Sequence, residues 1–298
     1  MAGRAGLVAG LVSLVACGGS GGSGGDKTGF LSIGITDAAV DDVSAVVVEF
    51  TGVTLKPSSG DDIVITFDSP KSFDLLMLTG GLTAELLQET ELPVGTYNWV
   101  RLAVNANFDN VYDSYAMTPT GQVELRVPSG NNSGLKLVSG FTVTQNRSTN
   151  LVIDWDLRQA LSDPQGQPGL HLRPALRVTD MAVYGTLTGT VTESLVTDES
   201  CTNDLALGTG NAVYLYNGAV EVPGDIGGET TAPFTTTTVS QNESGAYVFE
   251  VNFLSVGEYT AAFTCQASDD DPLLDDDIAF SAPQTFMIED GMTKVIEF

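Results

Sequence analysis

The run Val46-Val47-Val48-Glu49-Phe50, continued after Gly52 by Val53-Thr54-Leu55, is typical of a long β-strand. Its β-branched and aromatic side chains pack well on a pleated sheet. Pro57-Ser58-Ser59-Gly60 then supplies the residue types that favour a turn. Runs of the same kind, separated by turn residues, recur along the chain and predict an all-β protein.

The spacing of these runs predicts two β-sandwich domains in tandem, Ig-like or transthyretin-like in architecture. The first domain is expected over residues 28–182 and the second over residues 183–298. Short helices are expected only at residues 73–78 and 83–88, where Leu and Glu replace Val and Thr. A chain of 298 residues that is 42% hydrophobic is long enough to bury two ordinary cores.

Leu14-Val15-Ala16-Cys17, which ends an apolar stretch over residues 5–16, resembles the processing site of bacterial lipoproteins. The stretch is too short to cross a bilayer, which needs about 20 apolar residues. The resemblance implies a signal peptide over residues 1–16 and lipidation of Cys17, which would hold the protein at a membrane. Residues 17–27 are expected to form a flexible Gly/Ser linker. The predicted location is extracytoplasmic, and Gly18 indicates the outer membrane if the host is Gram-negative.

The chain is strongly acidic, with 38 acidic and 12 basic residues and a formal net charge of -26. This charge repels nucleic acid and anionic lipid headgroups, so no nucleic-acid partner is expected and the lipid alone must provide membrane binding. A cationic partner stays possible. A solvated acidic surface is the simpler interpretation.

Two cysteines, Cys201 and Cys265, remain once Cys17 is assigned to lipid. In an oxidising compartment such a pair is expected to form a disulfide, which would crosslink the second domain only. Two free, buried thiols are the alternative.

No catalytic residues are expected, and the protein is predicted not to be an enzyme. His171 is the only histidine, it lies between Leu170 and Leu172, and no Gly-x-Ser-x-Gly motif accompanies it. A zinc site is not expected either, because the chain has one histidine and no free thiolate is expected. The abundance of carboxylates leaves a glycosidase as a formal alternative.

The acidic loops are the candidate metal site, and calcium is the only cofactor that the sequence suggests. Side chains alternate along an extended chain, so alternate carboxylates of one loop can share an ion. The expected ligands are Asp269, Asp271, Asp275 and Asp277. A solvated loop without a metal is the alternative, because no calcium-binding loop motif is present.

Exposed aromatic residues are the candidates for contact with a partner or a glycan. Tyr112 and Tyr115 lie in a predicted loop and are the expected partner contacts. Trp99, Trp155 and Tyr184 are further candidates for a glycan platform, although most are expected to be buried.

The first domain also resembles the bacterial and archaeal family called domain of unknown function 4382, over about residues 28–182. The motifs that carry the resemblance are Gly34-Ile35-Thr36-Asp37-Ala38-Ala39, Val48-Glu49-Phe50-Thr51-Gly52-Val53, Leu92-Pro93-Val94-Gly95-Thr96-Tyr97, Val127-Pro128-Ser129-Gly130, Gly134-Leu135-Lys136-Leu137 with Gly140-Phe141, and Leu172-Arg173-Pro174-Ala175-Leu176. The family has no settled activity, so the resemblance implies a fold and a location but no reaction.

The second domain resembles the transthyretin-like and carboxypeptidase-regulatory-like sandwiches. The resemblance rests on Gly189, on the strand Ala212-Val213-Tyr214-Leu215 and on the turn Leu254-Ser255-Val256-Gly257-Glu258-Tyr259, which repeats Leu92–Tyr97 of the first domain. It implies a structural unit without chemistry.

These observations favour a non-catalytic, lipid-anchored envelope lipoprotein that serves as a surface binding, adhesion or structural module. Its expected partner is another envelope protein or a surface polymer. The alternative is a calcium-dependent or glycan-binding receptor, for which a ligand should raise the melting temperature in a saturable way.

Overall fold

The computed structural model describes residues 27–38, 40–41, 43–128, 134–228 and 231–298. The predicted signal peptide, Cys17 and the linker up to residue 26 lie outside the described residues. The described chain contains 21 strands and three single helical turns, which confirms the prediction of an all-β protein. None of these helical turns has the length and apolar character needed to cross a membrane.

Thirteen strands form the first unit, which ends at Asp180. They are β1 (Thr28–Ala38), β2 (Ala45–Pro57), β3 (Ile63–Asp74), β4 (Ala84–Pro93), β5 (Gly95–Val104), β6 (Tyr115–Thr118), β7 (Gly121–Arg126), β8 (Leu135–Leu137), β9 (Phe141–Val143), β10 (Ser148–Asp156), β11 (Leu161–Ser162), β12 (Leu170–Leu172) and β13 (Leu176–Asp180). A helical turn, α1 (Leu157–Ala160), follows β10.

The first unit consists of two sheets that enclose one apolar core. One sheet has the order β13-β10-β1-β4, and the other has the order β11-β12-β7-β6-β2-β5-β8, with β3 also paired to β2 and β9 to β5. Phe50 of the larger sheet packs against Trp155 of the smaller one, with ring centroids 5.9 Å apart. Both side chains are fully buried, so this contact joins the two sheets at the centre of the core.

Eight strands form the second unit, which begins at Tyr184. They are β14 (Tyr184–Val191), β15 (Ala212–Asn217), β16 (Thr235–Thr238), β17 (Ser240–Gln241), β18 (Tyr247–Ser255), β19 (Gly257–Thr264), β20 (Gln284–Ile288) and β21 (Thr293–Glu297), with the helical turn α2 (Glu193–Val196) after β14. The sheets β17-β18-β14-β21 and β16-β15-β19-β20 pack face to face around Leu187, Leu215 and Phe249. The predicted domain boundary lies between β13 and β14.

The prediction of a helix at residues 83–88 is wrong, because this segment begins strand β4, which pairs antiparallel with β1. Leu86 and Leu87 are both buried, at a place where the register of the two strands shifts. Helix propensity is worth only tenths of a kcal/mol per residue, so this pairing and burial override it. The helix predicted at residues 73–78 is reduced to a single 3-10 turn, Leu75–Leu78, that follows β3.

The repeated turn motif adopts the same geometry in both units. Gly95 and Gly257 have φ values of 155° and 159°, which glycine accepts more readily than other residues. The tyrosine two residues later is buried, and its hydroxyl donates a hydrogen bond back to the chain before the turn. Tyr97 reaches the carbonyl of Pro93 at 2.9 Å, and Tyr259 reaches that of Ser255 at 3.0 Å. The shared motif therefore has a structural role in each unit.

Candidate functional site

The acidic loop of the second unit forms a compact carboxylate cluster, but with other members than expected. Carboxylate oxygens of Asp225, Asp270 and Asp276 lie within 4.8 Å of one another. Of the predicted ligands, Asp269, Asp275 and Asp277 are exposed and Asp271 is partly exposed. Among the described residues, the four predicted ligands are not brought together.

Hydrogen bonds explain which carboxylates converge. Asp270 accepts from the hydroxyl of Tyr214 at 2.5 Å and from the backbone N–H of Ile226. Asp225 accepts from the N–H of Asp276 at 2.7 Å, which ties the two acidic segments together. The cluster thus depends on Asp225, which lies 45 positions before Asp270 in the sequence. Oxygen ligands of this type suit calcium, the ligand of the alternative function, a calcium-dependent receptor.

Burial raises the pKa of Asp270 to about 6, and the negative charge of Asp225 adds to the rise, while the hydrogen bond from Tyr214 opposes it. Burial also raises the pKa of the Tyr214 hydroxyl well above 10, so it stays protonated and acts as the donor.

The raised pKa of Asp270 makes stability depend on pH. Because its ordinary pKa is 3.8, the folded protein takes up this proton before the unfolded chain does, and stability increases as the pH falls from 7 towards 4. We expect the wild type to gain on the order of 2 kcal/mol relative to Asp270→Asn over this interval. Urea unfolding at each pH measures the difference. Asp154, whose pKa is also raised, is common to both proteins and cancels. Parallel pH curves for the two proteins would contradict the assignment.

The aromatic candidates differ in their exposure. Tyr112 is 48% exposed in the loop before β6, whereas Tyr115 is partly buried within β6, where it pairs with Val47 and Glu124. Contact of either tyrosine with a partner stays a prediction. Trp155 is fully buried and cannot serve as a glycan platform, but Trp99 is partly exposed on β5.

The disulfide between Cys201 and Cys265 is present, as predicted. It joins the segment after α2 to the residue that follows β19, and both sulfur atoms lie beside the core of the second unit. Cysteines that are oxidised in this way are typical of proteins outside the reducing cytosol.

Arg177 of β13 links the two units. Its Nε lies 2.5 Å from Oδ2 of Asp154 on β10, and its two Nη atoms donate to the backbone carbonyls of Asn252 and Phe253 at 2.6 and 2.9 Å. The hydroxyl of Thr179 donates to the same Phe253 carbonyl. Burial outweighs the attraction of Arg177 and keeps the pKa of Asp154 above its ordinary value.

A second buried connection is centred on Asp156, the last residue of β10. Its carboxylate accepts from the backbone N–H of Thr236 at 2.5 Å, and from the hydroxyls of Thr235 and Thr236. It also accepts from the N–H of Gln159 and so caps α1. One carboxylate therefore holds a helical turn of the first unit and strand β16 of the second.

Arg158, on α1, makes the third connection. Its Nη2 lies 2.8 Å from Oδ2 of Asp41, while its Nη1 donates to the carbonyl of Ala267 at 3.0 Å. The same Asp41 oxygen accepts from the N–H of Gly210 in the second unit. Hydrogen bonds and ion pairs form only over a narrow range of distances. These three buried connections therefore hold the two units in a fixed position relative to each other.

A cleft of about 640 Å³ lies between the units beside Arg177. Asp154 and Arg177 line it from the first unit, and threonine hydroxyls of β14 and β16 line it from the second. The cleft offers hydrogen-bonding groups, but His171 is not among its lining residues. His171 lies on β12, where its Nε2 has no hydrogen-bond partner among the described residues, and burial lowers its pKa.

Comparison with solved structures finds similarities at low identity. The TIE protein of Bacillus anthracis is 15% identical, with 91% of this chain and 34% of that chain covered and a TM-score of 0.21. A minor pilin of Streptococcus agalactiae is 11% identical, with 90% and 94% covered and a TM-score of 0.18. The shaft pilin SpaA of Lactobacillus rhamnosus is 11% identical, with 90% and 96% covered and a TM-score of 0.21. The chain spans about a third of the Bacillus anthracis protein.

No curated protein matches this chain. A family does match its first unit, over a range that ends just after β12. Residues 28–174 match the family described as Domain of unknown function (DUF4382), which confirms the resemblance for the first unit.

Proposed function

We propose that this protein is a non-catalytic, lipid-anchored lipoprotein of the cell envelope, whose two β-sandwich units form one rigid body that binds or supports other surface components. The observation that carries the proposal is the set of buried connections made by Arg177, Asp156 and Arg158 between the units. Two units joined in this way present their loops and sheet faces at constant distances, as an adhesion or structural module requires.

The disulfide and the N-terminal sequence support the proposed location. A disulfide between Cys201 and Cys265 is stable in an oxidising compartment. The apolar stretch that ends at Cys17 resembles a lipoprotein signal, and the Gly/Ser linker would let the folded body move away from the membrane surface.

The anchor is tested by changing its attachment residue. We expect the full-length protein, expressed in a bacterium with lipoprotein processing, to partition into the detergent phase of Triton X-114 and to incorporate labelled palmitate. Cys17→Ser should lose both properties and stay in the aqueous phase, because acyl chains supply nearly all of the membrane affinity. Cys201→Ser is the matched control and should still be labelled. Labelling of Cys17→Ser would contradict the proposed anchor.

The surface role is tested on intact cells, where we expect added protease to cleave the protein. Protection from protease on intact cells, with cleavage after lysis, would place the body inside the envelope.

The alternative function is tested on the purified protein. We expect an excess of calcium over chelator to leave its melting temperature unchanged at matched ionic strength. A saturable, calcium-specific rise in the melting temperature would favour the alternative function, a calcium-dependent receptor.

A further inference from the structure

We propose that the outer face of strands β2, β5 and β8 binds the carboxylate groups of an acidic polysaccharide through Arg101 and Lys136, which lie around Trp99. This inference rests on the proposed function, because a protein must be at the cell surface to contact such a polymer. It adds a binding site and a class of ligand to that function.

The two cations are held close together on this face. Arg101 of β5 and Lys136 of β8 are directly opposite each other in the antiparallel pair. The guanidinium carbon of Arg101 and the Nζ of Lys136 each lie 4.8 Å from the centroid of the Trp99 ring. Like charges in directly opposed positions destabilise a sheet, and the attraction of both cations to the indole offsets part of that cost.

The backbone brings β8 unusually close to β5 at this point. A Cβ atom at Gly134 would lie 2.4 Å from the carbonyl oxygen of Leu102 and 3.2 Å from Cγ of Arg101. Gly134 also has a φ of 53°. Glycine at this position therefore allows Lys136 to lie beside Arg101.

Neither cation has an acidic partner in the part of the chain that the structure describes. Among the described residues, neither Arg101 nor Lys136 forms an ion pair with a carboxylate, and the Nε of Arg101 is buried without a hydrogen-bond partner. Their neighbours on this face, taken from the strand pairing and from alternation along each strand, are Thr54, Trp99, Ala103, Gly134 and Val138. No acidic residue is among them, although acidic residues outnumber basic ones by 38 to 12 in the chain.

The neighbouring Lys56 differs in this respect. It lies beside Trp99 in the pairing of β2 with β5, but its Nζ is 2.7 Å from Oδ1 of Asp62. The positive charge of Lys56 is therefore already paired with the carboxylate of Asp62. Arg101 and Lys136 differ from single unpaired cations because both contact one indole ring, so that two positive charges on this face are available to an anion from outside.

The charge of the whole protein favours one class of anion. A polymer with densely spaced charges, such as nucleic acid, or an anionic bilayer would be repelled by a chain of net charge -26. A polysaccharide whose carboxylates are widely spaced meets less of this repulsion, because it carries fewer charges per unit length, and each contact needs only a small basic patch. The apolar C–H faces of its sugar rings also suit an open sheet face with a partly exposed indole and the 81% exposed Val138.

The site is tested with detergent-solubilised full-length protein, a partly methyl-esterified galacturonate oligomer and chelator, so that calcium cannot bridge ligand and protein. Trp99 and Trp155 are the only tryptophans, and Trp155 is fully buried, so a change in tryptophan fluorescence reports on Trp99. We expect a saturable fluorescence change that weakens with added salt, and no change with the fully methyl-esterified oligomer. Lys136→Gln should weaken binding roughly tenfold, the usual effect of losing one charge-assisted hydrogen bond.

Lys294→Gln on β21 is the matched control, because it removes an exposed lysine elsewhere and should leave binding unchanged. Lys136 is exposed, so Lys136→Gln should keep the melting temperature of the wild type. Equal binding of the partly and fully esterified oligomers, no binding at all, or tighter binding of single-stranded DNA would overturn the inference. The protease test on intact cells is independent of these outcomes, so the site can fail while the surface role stands.

Discussion

Arg177→Met is expected to lower the free energy of unfolding by about 3–5 kcal/mol, the usual cost of removing one partner of a buried ion pair. The Arg177 and Asp154 side chains are 9% and 5% exposed. Without the guanidinium, the carboxylate of Asp154 is left buried and uncompensated. The carbonyls of Asn252 and Phe253 each lose the hydrogen bond from Arg177, and Phe253 keeps the one from Thr179. Urea unfolding, followed by circular dichroism, measures the loss.

Two control variants separate this effect from a general loss of charge. Lys56→Met breaks the partly exposed ion pair with Asp62 and should cost no more than about 1 kcal/mol. Asp154→Asn combined with Arg177→Met removes the stranded charge and should recover part of the stability. A cost for Arg177→Met as small as that of Lys56→Met would show that this connection does not hold the units together.

The same variant is expected to change the cooperativity of unfolding. Arg177 bonds to both units, so its removal weakens their contact while the apolar side chains of both cores are kept. We expect the wild type to unfold in one transition, and Arg177→Met to show two transitions or a smaller dependence on urea. A single, equally steep transition at lower urea would mean that Asp156 and Arg158 are enough to couple the units.

Loss of the disulfide is expected to have a comparable effect. Cys201 and Cys265 are 64 residues apart, and in the chain-entropy model a crosslink over such a loop contributes about 4 kcal/mol. Cys201→Ser with Cys265→Ser should therefore unfold at much lower urea than the wild type. Reduction of the wild type should lower its stability to nearly that of the double variant.

The double variant also provides the control for the reductant. Because Cys17 is then the only cysteine left, adding reductant to the double variant should leave its unfolding curve unchanged. A change under these conditions would mean that the reductant acts on something other than the disulfide. If the wild type were insensitive to full reduction, the disulfide would contribute little to stability.

Local residue preferences were sufficient to predict the class of the protein. Valine-rich runs such as Val46-Val47-Val48 form strands because both their propensity and their burial in a sheet favour the same state. The disulfide could be predicted because only two cysteines remain after Cys17. The segment at residues 83–88 could not be predicted, since its leucines favour a helix locally and only the pairing with β1 makes them a strand.

The location of the charged groups depended on the tertiary structure. Alternation along an extended chain suggested Asp269, Asp271, Asp275 and Asp277, but the loop is not extended, and its hydrogen bonds bring Asp270 and Asp276 to Asp225 instead. Alternation along the sequence does not fix the face of Trp99 either. The register of β2 and β5 shifts between Lys56 and Pro57, so the alternation that holds from Trp99 onward does not extend back to Tyr97.

The sequence by itself determined the all-β class, the cysteine pairing and the match of residues 28–174 to a family of unknown function, because each depends on residue types or on their order along the chain. Only the tertiary structure decided that Arg177, Asp156 and Arg158 join the units, and that Arg101 and Lys136 stand together without an acidic neighbour. Coulomb and hydrogen-bond energies depend on distance and burial, which strand pairing and packing set between residues far apart in sequence.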